Sequence, residues 1–251
     1  LSGCKKSDLE VPEKGVSRTL NDYRKKTISD VRYDLQFTIP DQKALAINGK
    51  VKISFALNSL EQDLVLDFSN ESKQVQAVSK SGKALSYQFI NEHIVIPAQH
   101  LEVGENTIEI EFIAGDLSLN RSDDYLYTLF VPDRASTCFP LFDQPNLKAK
   151  YTLTLYTPQH WEAVANGALI SKKEVEKQWQ YSFQETQPVS SYLFAFATGK
   201  FFKKTDTVEG REMTMYYRET DSVKVNRNQK EVFRLHAQSL DWLEQYTGIA
   251  Y

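Results

Sequence analysis

The sequence predicts a mainly β protein: antiparallel strands packed as a saddle-like sandwich, followed by a single C-terminal helix. Two observations carry that expectation. From about Asp30 to Tyr217 apolar residues recur at every second position, the period of a strand with one buried face. At about Asp221 the period changes to that of a helix. Strand follows strand with no helical pattern between, so antiparallel pairing is expected.

The elements follow in order. Residues 33–39, Tyr-Asp-Leu-Gln-Phe-Thr-Ile, alternate cleanly, and so do residues 51–57 after the turn-like Asn48-Gly49. Further strands are expected at 64–68, 85–89, 93–96, 108–112, 150–156, 163–165, 179–183, 192–196 and 213–217, all rich in the β-branched and aromatic residues that suit a pleated surface. Beyond them Val232, Phe233, Leu235, Ala237, Leu240, Leu243 and Tyr246 fall at helical spacings. Asp221 and Ser222 offer N-cap oxygens, and Gly248 stands where a C-cap glycine belongs. The apolar face of this helix is broad and includes Trp242. It packs back on the sheet or opens a further domain.

Composition narrows the function. With 251 residues, 41% of them hydrophobic and 25% charged, the chain can build a core. A net charge of -3 and short basic clusters give no electrostatic footprint for nucleic acid. No apolar run approaches the roughly 18 residues of a membrane helix. Cys4 lies in Leu-Ser-Gly-Cys, which resembles a bacterial lipobox, followed by a polar spacer to about Asn21. Residues 1–21 therefore read as lipid attachment at Cys4 plus a flexible tether, against the alternative of a free thiol in a tail. That reading implies an exported bacterial lipoprotein, held at the membrane by its lipid alone and facing the periplasm or the cell surface.

Catalytic constellations are absent from the sequence. His93, His100, His160 and His236 are too widely spaced to pair as metal ligands, and no H-E-x-x-H occurs, so no metal site is expected. There is no G-x-S-x-G and no phosphate-binding glycine loop. Cys138 reads as a small buried hydrophobe, and Asp123-Asp124 as a solvated turn. Trp161 and Trp179 would serve a carbohydrate-binding sandwich if they were exposed.

One stretch stands out: Phe139-Pro-Leu-Phe-Asp-Gln-Pro-Asn146, just before the alternating residues 150–156. Pro140 and Pro145 fix φ and remove two backbone donors, so the stretch forms a rigid corner rather than a central strand. Asp143 can accept turn N–H groups, while Phe139 and Phe142 can anchor the corner to a sheet.

Residues 134–149 with 151–155 resemble the F-P-C-F-D-E/Q-P-x-x-K-A signature in the N-terminal domain of the aminopeptidase N family of zinc metallopeptidases. Three more segments agree in order: residues 33–37, the turn Ala165-Asn166-Gly167, and Pro188 to Phe196 with Gly199-Lys-Phe201. The resemblance implies that residues 22–220 form the β-rich N-terminal domain, and that 221–251 begin a thermolysin-like catalytic domain whose motifs lie further along. It implies a peptide substrate, and a zinc ion in the parent protein but none in this fragment, which would be inactive alone. The family usually carries a Glu or Gln nine residues before the corner's first proline, binding the substrate's α-amino group. That position is Val131 here, and the polar position two residues earlier is Leu129. Neither side chain can hold an ammonium, although a shifted register could bring Asp133 or Thr128 to the place. The departure leaves open a non-catalytic binding module on the same scaffold.

Overall fold

A computed structural model of the chain describes residues 12–251. The expected lipid attachment at Cys4 lies outside the described residues. Two compact units follow, one ending at Gly199 and the other running from Lys200 to Tyr251.

The first unit opens with a helix that the apolar periodicity does not reveal, α1 (Arg18–Thr27), beginning inside the stretch read as tether. The Ser17 hydroxyl accepts from Leu20 N–H at 3.2 Å and caps it. Arg24, Lys25 and Lys26 sit in its last turn, against the negative end of the helix dipole. The strands follow as β1 (Ile28–Thr38), β2 (Asn48–Leu57), β3 (Leu64–Asp67), β4 (Val75–Lys80), β5 (Lys83–Ala84), β6 (Gln88–Ile90), β7 (His93–Ile96) and β8 (Gly104–Ile113). Then come β9 (Leu119–Arg121), β10 (Tyr125–Thr128), β11 (Lys150–Pro158), β12 (Glu162–Ala165), β13 (Leu169–Val175), β14 (Gln178–Phe183) and β15 (Phe196–Gly199).

Eight of these strands form one sheet in the order β13-β14-β11-β1-β2-β8-β4-β5. Its pairings are antiparallel, as expected, with one exception: β1 and β11 run parallel, Leu35 opposite Leu153. A parallel pair needs a long crossover, and all of β2 to β10 lies between the two. Asn48-Gly49, read as a turn, is instead the start of β2 opposite Ile113 and Phe112. Alternation puts Tyr33, Leu35 and Phe37 of β1 into the core beside Val51, Ile53 and Phe55 of β2 and Tyr151, Leu153 and Leu155 of β11. Two smaller sheets pack in the same unit, β3-β7-β6 and β12-β15-β10-β9.

The second unit is a hairpin, β16 (Phe202–Val208) with β17 (Arg211–Tyr217), and a helix, α2 (Ser222–Thr247). The Asp221 carboxylate accepts from Val223 and Lys224 N–H, and Gly248 ends the helix in the left-handed conformation at φ 70°. Arg211 reaches from the hairpin to Asp241 and Glu244 on α2. Of the helix face read from sequence, Phe233 and Ala237 are buried, whereas Leu235, Leu243 and Tyr246 are exposed.

Candidate functional site

The proline-bounded corner is held by a buried polar network. Its Leu141 exchanges two backbone hydrogen bonds with Asp67 at the end of β3, at 2.7 and 3.1 Å. The Asp67 carboxylate accepts the corner's Asp143 N–H at 2.7 Å. It also receives both ends of the Arg24 guanidinium, Nη2 at 2.6 Å and Nη1 at 2.8 Å. Arg24, 1% exposed, donates further to the Val65 carbonyl and to Gln144 of the corner, and its guanidinium lies 5.3 Å from the centre of the Phe142 ring. A planar fork facing a carboxylate is the strongest geometry available to such a pair. Burial pushes the Asp67 carboxyl up, but the Arg24 charge, His93 and the donated hydrogen bonds outweigh it and bring the pKa down to about 2.

Asp143 is engaged differently. Its side chain accepts from Ser136 N–H at 2.8 Å and from the Ser191 hydroxyl at 2.6 Å, with no cation paired to it among the described residues. Burial, only partly offset by those donors, raises its pKa. Phe139 and Phe142 are buried, Pro140 is buried, and the carbonyl of exposed Pro145 accepts from the Ser190 hydroxyl at 2.7 Å. His93 Nε2 is 3.2 Å from Asp67 Oδ1 but poorly aligned, and neither ring nitrogen has a hydrogen-bond partner among the described residues.

The corner is braced against residues 128–131. Phe130 packs edge-on to Phe139 with centroids 5.8 Å apart and stacks on Phe194 at 6.4 Å. The residues beside Phe130 face solvent, Leu129 at 49% and Val131 at 64% exposed, and the Val131-Pro132 peptide is cis. Across from them Leu193 is 50% exposed. The turn at Asn166-Gly167 closes the site: Asn166 donates to the Leu193 carbonyl at 3.1 Å and accepts from Ala195 N–H at 2.6 Å. A Cβ on Gly167 would lie 2.0 Å from the Gln184 carbonyl oxygen, so only glycine fits there. Corner, turn and residues 193–196, separate in sequence, thus meet at one end of the small sheet.

Residues 29–193 match the peptidase M1 N-terminal domain. The chain belongs to that family. It is 28% identical over 242 residues to aminopeptidase M1-B of Oryza sativa subsp. japonica, an alignment covering 89% of this chain and 27% of that protein. It is 37% identical over 87 residues to glutamyl aminopeptidase of Sus scrofa, covering 34% of this chain and 9% of the relative. An M1 zinc metallopeptidase from Deinococcus radiodurans shares the fold with a TM-score of 0.62 at 17% identity, over 76% of this chain and 47% of the other. The chain therefore spans at most about a quarter of the length of these two relatives.

Among the described residues no group of three or more His, Cys, Asp or Glu is placed to hold a metal. His93 comes nearest in chemistry, but its one carboxylate neighbour is already committed to Arg24. Cys138 is fully buried, and burial, with Asp116 adding to it, raises its thiol pKa, so it is no nucleophile. Of the two tryptophans considered for carbohydrate binding, Trp161 is buried and Trp179 half-buried with its Nε1 donating to the Gln159 carbonyl. Sequence reasoning missed Arg24 and Asp67, because an apolar scan does not look for a charged pair in the core.

Proposed function

We propose that this chain is the wall-forming N-terminal domain of a zinc aminopeptidase that removes N-terminal residues from peptides. The supporting observation is the convergence of corner, Asn166-Gly167 turn and residues 193–196 on one solvent-facing edge, within a match to the M1 N-terminal domain. The zinc, its ligands and the general base would belong to another part of the protein, where the metal would polarise the scissile carbonyl and its bound water. What this chain's residues do is bind and orient. The stiff corner fixes where residues 128–133 stand, and those residues face the substrate. The exposed apolar residues of α2, Trp242, Leu243 and Tyr246, offer the catalytic part a face to pack on.

The test compares the full-length protein with residues 1–251 on aminoacyl 4-nitroanilides. Release by the full-length protein alone supports the reading, whereas release by residues 1–251, or by neither, refutes it. Leu129 and Val131, in place of hydrogen-bonding residues, favour the second reading of a non-catalytic binding module, and that reading gains if neither sample cleaves. Lipid attachment at Cys4, with export in a bacterium, is part of the same proposal. Its check is incorporation of labelled palmitate that a Cys4→Ser variant abolishes.

A further inference from the structure

We propose that the cleft between the β16–β17 hairpin and the first turns of α2 binds one pyranose ring of a neutral carbohydrate. The apolar face of the sugar would lie on Phe202 and Tyr217, with its hydroxyls meeting Lys204 and Glu219. The site lies wholly within the second unit and does not depend on the aminopeptidase reading.

The hairpin register builds the aromatic side of the cleft. Phe202 stands opposite Tyr217, and the centres of their rings are 5.6 Å apart at a tilt of 34°. Lys204 follows two residues on, so it shares their face, and its Nζ donates to Asn226 Oδ1 of α2 at 2.7 Å. Glu219, in the connection from β17 to α2, accepts from Asp221 N–H at 3.0 Å and pairs with Lys224 at 3.5 Å. Buried Val225 of α2 also lines the cleft, whose volume is about 190 Å³. Polar groups braced in this way hold their positions when a ligand arrives.

Size and charge name the ligand. An apolar cavity of about 150 Å³ holds benzene, so this cleft takes a single six-membered ring with its substituents. Phe202 is 52% exposed, an aromatic ring left half in water at the mouth of that space. Lys204 and Glu219 cancel in charge and each is already partnered, so a simple ion gains little by entering. An anion finds no help from the helix either, because the Asp221 carboxylate already accepts the Val223 and Lys224 N–H groups. What the wall still offers is a mixture, further N–H donors on Lys204 and further lone pairs on Glu219. A pyranose matches both halves of the site: its hydroxyls donate and accept around the edge, and its weakly positive C–H face suits the negative face of an aromatic ring.

The experiment titrates the full-length protein with methyl β-D-glucopyranoside, methyl α-D-mannopyranoside and N-acetyl-D-glucosamine by calorimetry, with leucine as the control. At least one sugar should bind with a Kd on the order of 1 mM, as suits so small a contact. Phe202→Leu keeps apolar bulk but removes the ring face, and should weaken that sugar about five-fold. Glu219→Ala should weaken it about ten-fold, the worth of a hydrogen bond to a charge. Both positions are exposed, so both variants should keep the wild-type melting temperature, and if Glu219→Ala does not, Phe202→Leu decides. The inference is wrong if none of the sugars saturates the protein, or if Phe202→Leu binds them as the wild type does. It is also wrong if Phe202→Leu loses leucine rather than a sugar, which would assign the cleft to a zwitterion. Peptide cleavage is measured separately, so none of these results bears on the aminopeptidase reading.

Discussion

Replacing Arg24 by Met removes the guanidinium and keeps an apolar stem. Asp67, 4% exposed, would keep the Asp143 N–H and lose both donors of the Arg24 guanidinium. Breaking a buried pair from one side costs about 3–5 kcal/mol, a large part of the 5–15 kcal/mol that holds a typical domain together. With a urea m-value of about 2–3 kcal/mol/M, the midpoint should fall by roughly 1–2 M. The sign with pH is also fixed. Because the folded pKa of Asp67, about 2, lies below the unfolded value, its contribution is full above about pH 4 and is lost as pH falls towards 2. That contribution is on the order of 2 kcal/mol. Asp143, raised in the fold, acts oppositely: it favours the folded state at low pH and loses that contribution as pH rises through its folded pKa. In Arg24→Met the burial of Asp67 is countered only by the Asp143 N–H and His93, so its acid-side loss of stability should shrink. Adding Asp67→Asn, which leaves an acceptor for the Asp143 N–H, should recover about half of the loss or more, since no charge remains stranded. The reasoning fails if Arg24→Met unfolds within 1 kcal/mol of the wild type, or if the double variant is no better than the single one.

Gly167→Ala sets a methyl against the Gln184 carbonyl and should lower the melting temperature by several degrees in a thermal scan, a cost of about 1–3 kcal/mol. Phe139→Ala opens a cavity among Tyr33, Phe37, Phe130 and Phe194 and should cost about 3–5 kcal/mol, read from the urea midpoint. In a Cys4→Ser background, Cys138 should react with Ellman's reagent only after denaturation, since burial raises its pKa and hides it.

Alternation was legible wherever one face is buried: in β1, Tyr33, Leu35 and Phe37 go in while Asp34 and Gln36 stay out. It failed where burial is incomplete. β13, which reads Leu-Ile-Ser-Lys-Lys-Glu-Val, and β16, mostly exposed, are held by ladder hydrogen bonds and leave no period-two signature. The strand expected at 192–196 is displaced to Phe196–Gly199, because residues 191–193 form a short 3₁₀ turn. α1 escaped because the residue it buries most deeply is an arginine, whose burial depends on an aspartate 43 positions away. At the candidate site, residues 129 and 131 could be located along the chain, but the bond between Asn166 and Leu193 and the Phe130–Phe194 ring stack form only in the folded chain.

The parallel seam at the centre of the large sheet also bears on how the protein forms. β1 leaves the ribosome well before one of its two neighbours, β11, which is made more than a hundred residues later. Until then one edge of β1 has no ladder, with Tyr33, Leu35 and Phe37 ready to pair with any strand that passes. Closing so long a loop is slow and favours off-pathway pairing while it waits. Folding of the large sheet therefore waits on the synthesis of β11.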